Sequence, residues 1–150
     1  MTISPPPPYV GGCQCGFIRY RITSKAGVVY ACHCTICQTH TGTAFSMAMR
    51  VPAEDFHLTQ GTLKSFQRPG NGQTLTCSFC PDCGTRIHHV PERSPDQVSL
   101  KPGTLDETGW LRPTVHFYAS SAKPWEKIPD DATAFDTMPK DKSWLRGDQA

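Results

Sequence analysis

Apolar and polar residues alternate over short stretches of this chain, and no long stretch repeats with the 3.6-residue period of an amphipathic helix. Ile18, Tyr20 and Ile22 alternate with arginines, which predicts a half-buried strand. Residues 38–42 are polar and predict a bridge of one helical turn. The pattern as a whole predicts a mainly β protein. Its further strands are predicted at 27–31, 45–51, 63–67, 73–79, 85–90, 98–100 and 114–118.

Glycine and proline mark the predicted turns and the irregular ends of the chain. The loop Pro69-Gly70-Asn71-Gly72 separates two predicted strands and therefore predicts a hairpin. Four consecutive prolines at 5–8 predict an extended lead-in over residues 1–10. From Ser120 onward the chain is rich in Pro and Asp, which predicts an irregular segment wrapping the body, with frayed last residues.

The composition indicates one domain with a modest core. The chain has 150 residues, of which 37% are hydrophobic and 19% charged; both fractions lie below the averages of roughly 45–50% and about 25% for globular domains. A thin core makes metal crosslinks a plausible stabiliser. The formal net charge is +2 without a basic run, which argues against a nucleic-acid surface.

The sequence also predicts the compartment. No stretch reaches the roughly 18 apolar residues that a membrane span needs, and the N-terminus lacks the basic and apolar parts of a signal peptide. We therefore expect a cytoplasmic protein without a membrane partner, in which thiols stay reduced. Cysteines in such a compartment are more often metal ligands than disulfides.

Seven of the eight cysteines fall into three tight groups. Seven thiolates suit one closed four-sulfur zinc site and one three-sulfur site with a free coordination position. A disulfide framework fits these spacings less well than a metal does. The three groups are Cys13-Gln14-Cys15, Cys32-His33-Cys34-Thr35-Ile36-Cys37 and Cys80-Pro81-Asp82-Cys83.

Two of these groups together would make a closed structural site. On a strand, the side chains of C-x-C point to one face, so Cys13 and Cys15 could reach one ion. In C-x-x-C, a tight turn brings Cys80 and Cys83 together and aims backbone N–H groups at the sulfurs. The spacing does not decide which groups pair. A site of Cys77 with the central group is an alternative, although Cys77 is better interpreted as a small buried hydrophobe.

The central group Cys32, Cys34 and Cys37 can hold one zinc without help from the rest of the chain. Three thiolates and a divalent ion carry a formal charge of about −1, so the ion is a weak activator of water and a better partner for an incoming sulfur. In the alternative interpretation, Cys77 or a histidine closes this site as a second structural centre. His33 and His40 are the nearest groups for proton transfer, but nothing assigns either one as a base.

The three cysteine motifs, in this order, resemble the glutathione-dependent formaldehyde-activating (GFA, centromere-protein-V-like) family over residues 11–139. The resemblance implies a β-tent-like fold of small antiparallel sheets pinned by zinc, with a tail over 140–150. It also implies structural zinc at Cys13, Cys15, Cys80 and Cys83, and functional zinc at Cys32, Cys34 and Cys37. The matching motifs are Gly12-Cys13-Gln14-Cys15-Gly16, the central group with Gly42 and Phe45, Phe79 to Thr85, Pro113-Thr114-Val115-His116, Pro124-Trp125 and Phe135.

The activity that the resemblance implies is that of a carbon–sulfur lyase, which joins glutathione to formaldehyde as S-hydroxymethylglutathione. We therefore expect a zinc enzyme that joins or splits a thiol and a small carbonyl compound, with two zinc ions per chain. The alternative is a non-catalytic zinc module that binds a protein or a nucleic acid. A zinc deaminase is excluded because the chain has no H-x-E motif. The cations expected to hold anionic glutathione are Arg19, Arg50, Arg68 and Arg86.

Overall fold

A computed structural model describes residues 3–146 of the chain. This part of the chain contains one short α-helix and four 3-10 helices, and most of its regular structure is β. The helix α1 spans Thr35–Thr41. The strands are β1 (Tyr9–Gly12), β2 (Arg19–Ile22), β3 (Val29–Cys32), β4 (Ser46–Pro52), β5 (Phe56–Gln60), β6 (Lys64–Gly70), β7 (Gln73–Phe79), β8 (Arg86–Pro91), β9 (Gln97–Leu100), β10 (Val115–Phe117) and β11 (Thr133–Ala134).

The strands form a small sheet and a large sheet. The small sheet has the order β1-β2-β5, and the large sheet has the order β11-β10-β3-β4-β9-β8-β7-β6. Most neighbours are antiparallel, but β10 runs parallel to both β3 and β11. The predicted mainly β class is confirmed, and the parallel pairings add the chain after residue 114 to the β3 edge of the large sheet.

The small sheet packs against one face of the large sheet. On β2, Tyr20 and Ile22 are buried while Arg21 is exposed, as their alternation predicts. They form one apolar cluster with Met49 of β4 and Leu100 of β9. Burial of these side chains therefore holds the two sheets together.

The opposite face of the large sheet has a second apolar cluster. Tyr30 of β3 and Phe117 of β10 pack there edge to face, with ring centroids 5.3 Å apart. Leu145, from the C-terminal segment, is buried in the same cluster. The irregular segment predicted after Ser120 thus crosses this face and contributes one of its core residues.

Several local predictions need correction or extension. The hairpin predicted around 69–72 is confirmed as β6–β7, with seven residue pairs in register. The helix begins at Thr35, earlier than the predicted turn. Strands β1, β5 and β11 were not predicted, and β1 starts at Tyr9, within the predicted lead-in. Cys13 and Cys15 follow β1 in a turn, so the prediction that C-x-C lies on a strand is wrong.

Two further observations concern the predicted C-terminal tail and the prediction that no segment spans a membrane. The last part of the tail predicted to be frayed, 147–150, lies outside the described residues. No helix within 3–146 has the length and apolar character needed to cross a membrane.

We predict that Gly11→Ala lowers the free energy of unfolding by about 1–3 kcal/mol. A Cβ atom at Gly11 would lie 2.5 Å from the carbonyl oxygen of Thr104 and 2.5 Å from the hydroxyl of Tyr20, so the small sheet would have to shift. Urea unfolding followed by circular dichroism measures the change. Gly103→Ala is the matched control, because nothing lies within 4 Å of its Cβ position. Equal stability of the two variants would contradict this packing.

Candidate metal centres

Four cysteines from two distant turns meet beside the small sheet. The Sγ atoms of Cys13, Cys15, Cys80 and Cys83 all lie within 4.8 Å of one another. The Cys13–Cys15 and Cys15–Cys80 sulfur distances are 3.5 Å and 3.8 Å. A tetrahedral zinc with bonds of about 2.3 Å to sulfur separates its ligands by roughly 3.8 Å. The four-thiol group therefore fits a zinc ion in both chemistry and spacing.

The backbone of each turn is shaped to present its two sulfurs. The N–H of Gly16 donates to the carbonyl of Cys13, and that of Gly84 donates to the carbonyl of Cys80. Both glycines have positive φ, +84° and +78°, a conformation that other residues rarely adopt. The N–H of Ile18 donates to Cys13 Sγ at 3.1 Å, which stabilises negative charge on that sulfur.

Thr85 joins the two turns. The backbone N–H of Gln14 donates to Thr85 Oγ1 at 3.2 Å, and the same hydroxyl lies 3.1 Å from Cys83 Sγ. Hydrogen bonding from the hydroxyl and the backbone of Thr85 lowers the pKa of Cys83 to about 5. This side of the group thus favours the thiolate that metal binding needs.

The central group lies where β3 passes into α1. Cys32 ends the strand, Cys34 is the N-cap of the helix, and Cys37 lies in its first turn. Their three Sγ atoms lie within 4.8 Å of one another, and the N–H of Cys37 donates to Cys34 Sγ at 3.3 Å. Gln38 fixes the junction, because its Nε2 donates to the carbonyls of His33 and Ser121.

No fourth ligand completes this group among residues 3–146. No further thiol, imidazole or carboxylate lies within 4.8 Å of all three sulfurs. Cys77 is fully buried on β7 and belongs to neither group, which agrees with its interpretation as a small buried hydrophobe. The alternative closure of the central group by Cys77 therefore has no support in the geometry.

The three sulfurs face a narrow cavity of about 70 Å³. Its walls combine aromatic rings of Tyr30 and Phe117 with the cationic side chains of Arg50, Arg68 and Lys142. Within the described part of the chain, no aspartate or glutamate lines this cavity. The central group thus opens onto a space whose charged walls favour an anion.

The cationic side chains of Arg68 and Lys101 also act on Cys37. Hydrogen bonding to Cys32, then to Cys34, and the charges of Arg68 and Lys101 lower the pKa of Cys37 to about 5, although burial opposes the shift. Lys101 donates to Ser46 Oγ at 2.8 Å, and burial lowers its own pKa to about 8. Sequence reasoning missed Lys101, because no local pattern brings β9 beside α1.

The four arginines expected to bind an anion occupy different surroundings. Arg50 and Arg68 line the cavity. The guanidinium of Arg86 lies 5.1 Å from the ring centroid of Phe66, and the charge of Cys37 acts on it. Arg19 instead forms an ion pair with Asp106, with a 3.0 Å hydrogen bond from Nη1. It does not line the cavity among the residues described.

Two histidines near the central group, His33 and His116, form a buried hydrogen-bonded pair. His33 is completely buried, and its Nε2 lies 2.9 Å from Nδ1 of His116 on β10. Burial lowers the pKa of both rings, so both favour the neutral form. His40 is exposed and stacks on Phe66. The His33–His116 bond links the cysteine loop to the parallel strand, and only the tail motif hinted at His116.

The comparisons with known proteins agree with this geometry. The family model described as glutathione-dependent formaldehyde-activating enzyme matches residues 8–121, which include all eight cysteines. A crystal structure of a Rhodobacter sphaeroides protein, a structural-genomics target, superposes with a TM-score of 0.54 at 20% identity. That match covers 69% of this chain and 91% of the other, and at this identity it shows similarity of fold alone. No curated protein matches the chain.

We predict that His116→Ala lowers the free energy of unfolding by about 1–3 kcal/mol, because His33 Nε2 would lose its partner while remaining buried. Urea unfolding of both proteins measures the difference. His57→Ala, on exposed β5, is the control and should change stability by less than about 0.5 kcal/mol. A His116 variant as stable as the control would mean that the imidazole pair does not hold the cysteine loop.

Proposed function

The chain belongs to the glutathione-dependent formaldehyde-activating family, and we propose that it is a zinc-dependent carbon–sulfur lyase-type enzyme. In this proposal it joins or splits a thiol, with glutathione as the first candidate, and a small aldehyde or other carbonyl compound. The reaction takes place at Cys32, Cys34 and Cys37. It forms or breaks one carbon–sulfur bond and moves one proton between sulfur and the carbonyl oxygen, so it needs no oxidant or reductant.

The observation that supports this proposal is the difference between the two cysteine groups. Four sulfurs gather at Cys13, Cys15, Cys80 and Cys83, which is a complete tetrahedral set. Only three gather at the central group, and these face a cavity. A closed set stabilises a fold, whereas an incomplete set beside a cavity leaves room for a ligand.

Zinc held by the three central thiolates would supply a soft position that favours a further sulfur, in its thiolate form, over water. The chain's own residues prepare that position. Arg68 and Lys101 place positive charge beside Cys37, which favours the crowded thiolates and an anionic ligand next to them. The apolar rings of Tyr30 and Phe117 limit the water around the reacting sulfur.

The four-cysteine group has a structural task in the same proposal. It would hold a second zinc ion and fix the turn after β1 to the turn between β7 and β8. The metal-binding free energy would then contribute directly to folding. Both ions need reduced cysteines, which fits the reducing conditions of the cytoplasm.

We predict about two zinc ions per wild-type chain and about one in Cys34→Ala, because the variant leaves two sulfurs in the central group. Zinc is counted by mass spectrometry of the purified protein, with and without glutathione. Glutathione should change the exchange rate of only the ion that Cys34→Ala removes. Cys77→Ala is the matched control, since it deletes a buried sulfur outside both groups and should keep both ions.

Two ions that are both tightly held and indifferent to glutathione would contradict the enzyme proposal. The central group would then be a second structural centre, and the chain a non-catalytic zinc-binding module. Loss of zinc from Cys77→Ala would instead show that Cys77 takes part in binding.

We also predict that Arg68→Gln weakens glutathione binding about tenfold, because a buried guanidinium contributes roughly 1.4 kcal/mol or more to an anion beside it. Arg68 is only 8% exposed and lines the cysteine cavity. Titration calorimetry on the zinc-loaded proteins measures the affinity. Lys64→Gln, an exposed change on the same strand, should leave it unchanged. Equal affinities of a folded Arg68→Gln protein and the wild type would remove Arg68 from the anion site.

A further inference from the structure

A second, wider cavity adjoins the one over the three cysteines. It has a volume of about 500 Å³, compared with about 70 Å³ for the cysteine cavity. Arg50, Asn71 and Lys142 line both, so the two spaces are adjacent. A ligand whose sulfur lies in the narrow cavity would therefore have its remote end near the wide one.

All the charged side chains that line the wide cavity are cationic. They are Arg50, Arg93, Lys140 and Lys142, and no carboxylate joins them among residues 3–146. Asp141 lies between the two lysines in sequence, but its Oδ1 accepts a hydrogen bond from the backbone N–H of Ser143 at 2.9 Å. Four cations around one cavity repel one another unless an anion lies between them.

Arg50 supplies a second, independent sign of a missing ligand. Its Nε and Nη1 atoms are buried, yet neither has a hydrogen-bond partner in the part of the chain that the structure describes. A buried guanidinium without an acceptor is unfavourable, and an anion beside Arg50 would supply an acceptor. Burial, followed by the charges of Arg50 and Arg93, lowers the pKa of Lys142, which reflects the same crowding.

Separate elements hold these cations in place. Arg50 lies on β4, paired with Ser99 of β9. Arg93 lies after β8, and its Nη2 donates to the carbonyl of Gly72 at the tip of the β6–β7 hairpin, at 2.8 Å. Lys140 and Lys142 belong to the C-terminal segment, which buried Leu145 anchors to the core. That segment lies beyond residues 8–121, so this part of the cavity is not shared through the family match.

We propose that the wide cavity is an anion subsite for the end of the thiol substrate that is remote from its sulfur. The inference rests on the proposed function, since the sulfur must reach the three cysteines. The four cations favour a group with at least two negative charges, either a dicarboxylate or a phosphate ester. Among residues 3–146, no carboxylate lines this cavity to oppose such a group.

The first experiment tests the subsite without any thiol, using inorganic phosphate as the probe. Melting temperatures are compared in phosphate and in chloride at equal ionic strength. Millimolar phosphate should raise the melting temperature of the wild type and of the control Lys25→Gln, an exposed change outside both cavities. The double variant Lys140→Gln with Lys142→Gln should lose this stabilisation. An identical phosphate effect in all three proteins would overturn the subsite.

The second experiment uses thiols that differ in charge. The wild type should bind mercaptosuccinate, a dicarboxylate without an amine, at least about tenfold more tightly than neutral 2-mercaptoethanol, as expected for charge-assisted hydrogen bonds. In the double lysine variant this preference should fall to about twofold or less. Glutathione carries two carboxylates and one ammonium group, so its net negative charge and its expected affinity lie between those of the two thiols.

The outcomes separate this inference from the proposed function. Phosphate stabilisation that depends on the lysines, without binding of any thiol, would keep the anion subsite and contradict the thiol-dependent enzyme. Binding of all thiols with equal affinity, together with no lysine-dependent effect of phosphate, would keep the enzyme and overturn the subsite. Tight binding of mercaptosuccinate by a folded double variant would also overturn it.

Discussion

Mutual repulsion among clustered thiolates is the physical constraint on which the rest of this structure depends. Cys15 and Cys80 are 65 residues apart in sequence, yet their sulfurs are 3.8 Å apart. Such a group is stable only when a cation or hydrogen-bond donors offset its negative charge. The N–H of Ile18 and the hydroxyl of Thr85 provide such donors, and the two cysteine turns bring the small sheet to the end of the β7–β8 hairpin. The core between the sheets then needs only modest apolar content.

The negative charge of the sulfurs is offset differently in the two cysteine groups. In the four-cysteine group, the sulfurs surround one point and the nearby donors are neutral, such as the N–H of Ile18 and the hydroxyl of Thr85. In the central group, the cationic side chains of Arg68, on β6, and Lys101, directly after β9, act on Cys37. A completed set has no need for a ligand, whereas an incomplete set with surplus cations favours an incoming anion. Under the proposed function, the closed group would stabilise the fold and the open group would carry the chemistry.

Local patterns predicted the elements whose side chains alternate, and distant pairings determined the rest. The alternation of Tyr20 and Ile22 with arginines predicted β2 correctly, and the glycine-rich loop predicted the β6–β7 hairpin. β5 was missed because four of its five residues are exposed and carry no clear alternation. The spacing of the cysteines predicted the three local groups, whereas the pairing of Cys13 and Cys15 with Cys80 and Cys83 came from the family resemblance. The cavity was not predictable, because Arg50 of β4, Arg68 of β6 and Phe117 of β10 come together around it only through the arrangement of the strands in the large sheet.

The most direct test of an open sulfur site is X-ray absorption at the zinc edge of the zinc-loaded protein, before and after glutathione is added. Before glutathione is added, we expect one ion to have four sulfur ligands and the other to have three, with one oxygen or nitrogen as its fourth ligand. With glutathione, sulfur alone should surround both ions, at about 2.3 Å. Four sulfurs on each ion before glutathione, with no change afterwards, would contradict the account.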